Sequence, residues 1–241
     1  MPSSRNIAVS RIHVNHLNER KVMQFDSSTS LKRIAIFYDG SFFQKLNQYY
    51  GYTHQRKQFI DLTGLHEYIR HRVAAKETNN NVSLCQIVEA HFFRGRFSLN
   101  AVKTTKDPQK TMELDRLQDQ LLMQAGVVAH YYPMNEYATP PEEKGIDVWL
   151  ALEAYDLAVH KRFDVLVLIA GDQDFVPLVR KVNGLGTRVL IVGVDINSSS
   201  SIQKTSQRLI DEASYTVMLT EEVESKTAKG DSIIDGIFYK K

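Results

Sequence analysis

The run Val165-Leu166-Val167-Leu168-Ile169-Ala170 holds no polar residue, and it passes through Gly171 straight into Asp172-Gln173-Asp174. A strand without polar alternation is buried on both faces, as in a parallel sheet covered by helices on each side. Two carboxylates at its end repel one another and are costly to desolvate. The chain therefore needs either a group that offsets them or a use for them.

The rest of the sequence repeats the pattern. Short apolar runs recur at RIAIFYDG (33–40), VSLCQIVEAHFF (82–93), GVVAHYYP (126–133), TRVLIVGV (187–194) and YTVML (215–219). Between them lie segments of helical spacing. One runs from Ser41 to about Tyr50, and one carries Leu62, Leu65, Ile69 and Val73. Another places Leu114, Leu117, Leu121 and Ala125 on one stripe, and KGIDVWLALEAYDLAVHK is apolar enough to pack flat on a sheet. Two more are expected at 175–184 and near 200–213. Strands alternating with helices in this way predict one doubly wound α/β domain with a mostly parallel sheet. It is expected over 32–220, with a flexible N-terminal arm at 1–31 and a C-terminal tail at 221–241.

In such sheets ligands bind beyond the carboxyl ends of the strands, where the strand order reverses. Two strands end in acid, one at Asp39 and one at Asp172 and Asp174, and Asp147 opens the apolar helix just before the second of them. Each has a structural alternative. Asp39 could make a turn, Asp174 could cap the helix after it, and Asp147 gains from a helix N-terminus. Together, four carboxylates raise one another's pKa, and a divalent cation relieves that. Mg²⁺ suits oxygen ligands of this kind, and the chemistry it supports with phosphate is ester hydrolysis. A Walker-type G-x-x-x-x-G-K-[ST] loop is absent, and YDGSFF lacks the second Asp of an Asp-x-Asp phosphohydrolase.

The blocks IAIFYDGSFF, EKGIDVWLALEAYDLA and FDVLVLIAGDQDFVPLVRKVNGLGTRVLIVG resemble the signature segments of the NYN domain family, closest to its LabA-like (DUF88) branch within the PIN-like nucleases. The resemblance covers about 33–220. It implies a three-layer α/β/α sandwich and metal-dependent ribonuclease activity with Mg²⁺ or Mn²⁺. It maps the catalytic and metal-binding acids onto Asp39, Asp147, Asp172 and Asp174. One position departs: the first block of the family commonly reads D-G-x-N-[FL], and here Phe42 stands in place of the asparagine. An amide that could reach the metal shell or the phosphate is lost there. This motivates an alternative, a weak or inactive NYN module acting as an RNA- or protein-binding regulator.

Arg94 and Arg96 are interleaved with aromatic residues in HFFRGRFS, with Lys103 in the following polar segment. Such residues neutralise phosphates while rings stack on unpaired bases, which points to single-stranded RNA. They read equally well as a solvated surface. Ser41 and Lys144 stand beside the acids as further candidate substrate contacts, whereas His91 and His130, inside apolar strands, read as core residues. Net charge is only +2, so any nucleic-acid contact must come from local patches. The single cysteine, Cys85, suits a reducing cytoplasm, and no apolar stretch reaches the ~20 residues a membrane span needs. A soluble cytoplasmic protein is expected, and a homodimer is left open.

Overall fold

The computed structural model describes residues 30–198, 201–227 and 230–239, so residues 1–29 of the expected arm lie outside the described residues. The strands are β1 (Lys32–Asp39), β2 (Cys85–Arg96), β3 (Val128–Pro133), β4 (Val165–Ile169), β5 (Arg188–Gly193), β6 (Asp195–Ser198), β7 (Ser201–Lys204) and β8 (Tyr215–Met218). Six of them form one sheet in the order β3-β2-β1-β4-β5-β8, with every neighbouring pair parallel. β6 and β7 make a separate antiparallel hairpin. The helices are α1 (Gly40–Gln48), α2 (Leu62–Glu77), α3 (Leu99–Lys103), α4 (Pro108–Gln124), α5 (Ile146–Lys161), α6 (Val176–Gly184), α7 (Gln207–Glu212), α8 (Leu219–Thr227) and α9 (Ser232–Asp235).

The apolar strands are buried on both faces because each face has its own helical layer. Ile34, Ile36 and Tyr38 of β1, with Val165, Val167 and Ile169 of β4, join a core with α1, α2, α8 and α9. Ala35, Phe37, Leu166 and Leu168 point the other way and meet α5, α6 and α7. The result is a three-layer α/β/α sandwich around a parallel sheet, the PIN-like architecture. Strand order reverses between β1 and β4, which places a crevice at their carboxyl ends.

Four expectations are corrected. First, the Leu114-Leu117-Leu121 stripe of α4 does not face the core: Leu114 and Leu117 are exposed and Leu122 is buried instead. The inward side of α4 is polar because it must satisfy two arginines of β2. Gln118 accepts from Arg94 (2.8 Å) and Asp119 from Arg96 (2.7 Å). Second, those arginines lie within the end of β2 rather than beyond it, and Lys103 closes the short helix α3. Third, the helix expected near 200–213 is shorter and follows the β6–β7 hairpin. Fourth, the expected tail after residue 220 carries α8 and α9, and Val223, Ile234, Ile237 and Phe238 are buried in the core.

Candidate active site

Asp39 ends β1 and caps α1. Its Oδ1 accepts from the backbone N–H of Ser41 (3.0 Å) and Phe42 (3.1 Å) and from Ser41 Oγ (3.0 Å). Burial pushes the Asp39 carboxyl up, and these bonds and the nearby Lys45 ammonium oppose the shift. One strand over, Asp172 caps the single turn Gln173–Phe175, its Oδ1 accepting from the N–H of Asp174 at 3.0 Å. The structural alternative read from the sequence was a cap at Asp174. The structure moves it two residues back, and the Asp174 side chain is exposed.

The third acid arrives from the other helical layer. Gly145 sits in the left-handed region at φ +81°, a conformation that lets the chain swing into α5, and Asp147 falls in that helix's first turn. Asp39, Asp147 and Asp172 thus line one cleft of about 570 Å³, together with Ser41, Phe42, Lys45, Glu143, Gln203 and Lys204. Gly171 keeps this wall tight, since a Cβ there would stand 2.5 Å from the Phe42 ring. None of the four aspartates forms an ion pair among the described residues.

Crowding shows in Asp147, whose carboxyl is pushed up to about 6. Burial contributes most, followed by the charges of Asp39, Asp172, Glu143 and Asp174. The folded chain therefore holds this proton more tightly than the unfolded chain, where the ordinary value of 3.8 applies. The associated stability is fully present below about pH 4 and is lost as pH rises through about 6. Asp147→Asn carries no charge and escapes that loss. Thermal melts are expected to place the variant roughly 2–4 °C above the native chain at pH 7.5 and level with it near pH 4, the shift that about 1 kcal/mol gives at this size. A variant that melts lower at pH 7.5 would remove the electrostatic account of the cleft.

A hard divalent cation fits the oxygen donors of this cleft, where the carboxylates of Asp39, Glu143, Asp147 and Asp172 outnumber the ammonium groups of Lys45 and Lys204. Among the described residues, however, no three His, Cys, Asp or Glu side chains stand close enough to hold a metal unaided. The fit is to an ion held by one or two carboxylates, with water and substrate oxygens filling the remaining positions, the habit of Mg²⁺.

The other expected contacts divide. Ser41 lines the cleft. Arg94 and Arg96 line a neighbouring pocket that shares Glu143 with it, and Arg96 is clamped between Asp119 and the Tyr131 ring, 3.4 Å from the ring centre. Lys144 is exposed and paired with Glu142 at 3.2 Å, and Lys103 lines neither pocket. His91 is buried, whereas His130, on the edge strand, is only half-buried. They are 2.9 Å apart through their ring nitrogens, and burial lowers both pKa values.

Sequence reading missed four cleft residues. Lys45 was findable, because it lies one helical turn beyond Ser41. Glu143, which accepts from the Gly95 N–H at 2.9 Å, sits beside the motif Lys144-Gly145-Ile146-Asp147. Gln203 and Lys204 come from the β6–β7 hairpin, fastened to the site by Ser206 N–H donating to the Gly171 carbonyl at 2.8 Å. Gln203 is only 8% exposed, and its Nε2 donates to the Phe42 carbonyl at 2.9 Å. Its Oε1 has no hydrogen-bond partner among the described residues.

A three-layer parallel sandwich with carboxylates gathered at its switch point matches the PIN-like fold. The NYN domain model matches residues 33–220, and the chain belongs to that family, which is related to the PIN-like nucleases. An uncharacterized protein of Methanocaldococcus jannaschii is 23% identical over 129 residues, covering 48% of this chain. The match spans 54% of that relative's own length. A crystal structure of a protein of unknown function from Vibrio parahaemolyticus is similar at a TM-score of 0.51 and 23% identity. It covers 81% of this chain and 96% of the other, and supports the fold.

Proposed function

We propose that this chain is a divalent-cation-dependent endoribonuclease of the LabA-like (DUF88) branch, which hydrolyses phosphodiester bonds of single-stranded RNA in the cytoplasm. The observation that carries the reading is Asp147, driven up to about 6 by burial and by neighbouring acids that no salt bridge neutralises among the described residues. Such an arrangement costs stability and is retained where the charges are used. Membership of the NYN family supports the same reaction class.

Asp39, Asp147 and Asp172 are the residues that would hold Mg²⁺ or Mn²⁺, with Asp174 adding negative charge from outside the cleft. When bound, the cation polarises the phosphate and makes hydroxide available near neutral pH. The chain itself supplies position. Ser41 and Lys45 share one face of α1, where a hydroxyl and an ammonium meet phosphate oxygens. Lys204 also lines the cleft, its ammonium paired with Asp195 at 2.9 Å, and the exposed Lys144 lies beside Glu143. Arg94 and Arg96 would serve the flanking nucleotides from the neighbouring pocket, and Lys103 the strand beyond it. Among the described residues, no helix is long and apolar enough to cross a membrane.

A second reading, an RNA- or protein-binding regulator without efficient catalysis, is favoured by Phe42, which fills the cleft wall at 7% exposure where the family has asparagine. One assay separates the two. Purified chain is incubated with an end-labelled single-stranded oligoribonucleotide and Mn²⁺ or Mg²⁺. Internal cleavage that EDTA abolishes is the expected result. RNA that is retained on the protein but stays intact at every cation concentration replaces the nuclease with the regulator.

A further inference from the structure

Of the two arginines at the end of β2, Arg96 is engaged within the protein and Arg94 is largely free. Arg96 pairs with Asp119 at 2.7 Å and lies on the Tyr131 ring. Arg94 is half-buried, and the one hydrogen bond its side chain makes among the described residues runs from Nη1 to Gln118 Oε1 at 2.8 Å. Its Nε and Nη2 remain. Burial lowers its pKa, and the charges of Glu143 and Asp115 oppose that only in part. Arg94 lines a pocket of about 250 Å³ beside the acidic cleft. Asp115 of α4 lines the same pocket, and its carboxylate has no hydrogen bond or ion pair among the described residues. A cation and an anion thus share one small space without bonding each other. Apolar Phe97, Leu114 and Met134 complete the lining, with Phe97 and Leu114 at 39% and 56% exposure. Apolar walls with one group of each charge suit a ring that carries acceptors on one edge and donors on the next.

We propose that this pocket takes a guanine base of the RNA strand, with Arg94 donating to O6 and N7 and Asp115 accepting from N1–H and the 2-amino group. The strand itself rests on the ribonuclease reading, and the base rests on the pocket. Arginine bidentate to O6 and N7 is the commonest specific contact to guanine. Adenine offers N7 beside an amino group, so it presents one acceptor to the guanidinium instead of two, and it has no N1–H for the carboxylate. Pyrimidines have no N7. The pocket also adjoins the cleft closely enough for one strand to occupy both. Glu143 lines both spaces, and Gln44 of the pocket shares α1 with Ser41 and Lys45 of the cleft. Gly95 keeps the shared wall tight, because a Cβ there would stand 2.6 Å from Glu143 Cγ. The base in the pocket therefore sets which phosphate of the strand reaches the acids.

Fluorescence anisotropy of end-labelled uridine oligomers in EDTA tests the pocket apart from cleavage. Each oligomer carries guanosine, adenosine, cytidine or uridine at its centre. The guanosine oligomer is expected to bind the full chain about tenfold more tightly than the other three, the discrimination of a good bidentate contact. Inosine, which lacks the 2-amino group, is expected to weaken native binding about fivefold and to change nothing in Asp115→Asn. Replacement by 7-deazaguanosine is expected to weaken native binding by a similar factor and to change nothing in Arg94→Met. The base analogues are read on the native chain, so the test does not depend on how the variants fold. Equal affinity for all four oligomers, or no binding of any at about 100 µM chain, would overturn the subsite, even in a chain that cuts RNA. So would analogues that bind the native chain as guanosine does. Guanosine 5′-monophosphate that displaces the oligomer at equal concentration would overturn the assignment to an RNA strand. A guanosine preference in a chain that cuts no RNA with any cation would uphold the subsite and fail the nuclease reading alone.

Discussion

Asp172→Asn is expected to lower RNA cleavage on the order of a thousandfold, the loss typical when a group that stabilises transition-state charge is removed. The fold should survive the change. Asp172 caps the turn before α6 by accepting from the Asp174 N–H, and an asparagine carbonyl can accept the same bond. A melting temperature within about 2 °C of native would match a surface change of under 0.5 kcal/mol. Activity and stability therefore separate in this variant, which a residue serving only as a cap would not allow. Cleavage at the native rate by Asp172→Asn would remove this residue from the site.

The second large effect concerns residues after 220. Val223, Ile234, Ile237 and Phe238 are all at most 2% exposed, and Phe238 meets the Tyr50 ring at 5.0 Å with Arg56 4.6 Å above its own ring. Ile60 pairs with Phe238 in an isolated antiparallel bridge, which ties the segment to the chain entering α2. Burying four such side chains contributes on the order of 8 kcal/mol as an upper bound, comparable with the whole stability of a typical domain. A chain ended at Thr220 is expected to show no cooperative melting transition. Phe238→Ala alone is expected to cost about 3–5 kcal/mol and lower the melting temperature by more than about 6 °C. A shortened chain that melts like the native one would return this segment to the status of a tail.

How far the sequence could be read follows from where the information lies. Asp39 and Asp172 were legible because each ends an unbroken apolar run, and parallel strands share one carboxyl edge. Asp147 was legible from its place at the start of an apolar helix. The topology then did what the strand ends required: Tyr38 pairs with Ile169, so Asp39 and Asp172 emerge at the same edge. The wall formed by Gln203 and Lys204 was not legible. Residues 195–204 lack a strong period, and long-range hydrogen bonds, from Ser206 to Gly171 and from Gln203 to Phe42, fix the hairpin against the site. The C-terminal helices escaped for a related reason, since Val223 stands alone among charged and small residues and the pairs Ile233-Ile234 and Ile237-Phe238 are too short to set a period. Their burial depends on partners more than 150 positions away, such as Tyr50 and Leu62. The α4 stripe misled because leucine periodicity reports a helix without saying which face the core will take. There Arg94 and Arg96 took the inner face by their need for hydrogen-bond acceptors.

The central claim is that the cleft lined by Asp39, Asp147 and Asp172 takes a divalent cation through one or two of these carboxylates, with water and substrate oxygens completing its shell. Crystals soaked in Mn²⁺ and measured at the manganese absorption edge test it most directly. The account requires an anomalous peak in the cleft within about 2.5 Å of a carboxylate oxygen of Asp39, Asp147 or Asp172, the reach of a direct ligand bond, or one water layer further out. The peak should be absent from crystals of Asp147→Asn. A cleft without manganese at saturating concentration, in crystals whose native protein still cleaves RNA, would contradict it.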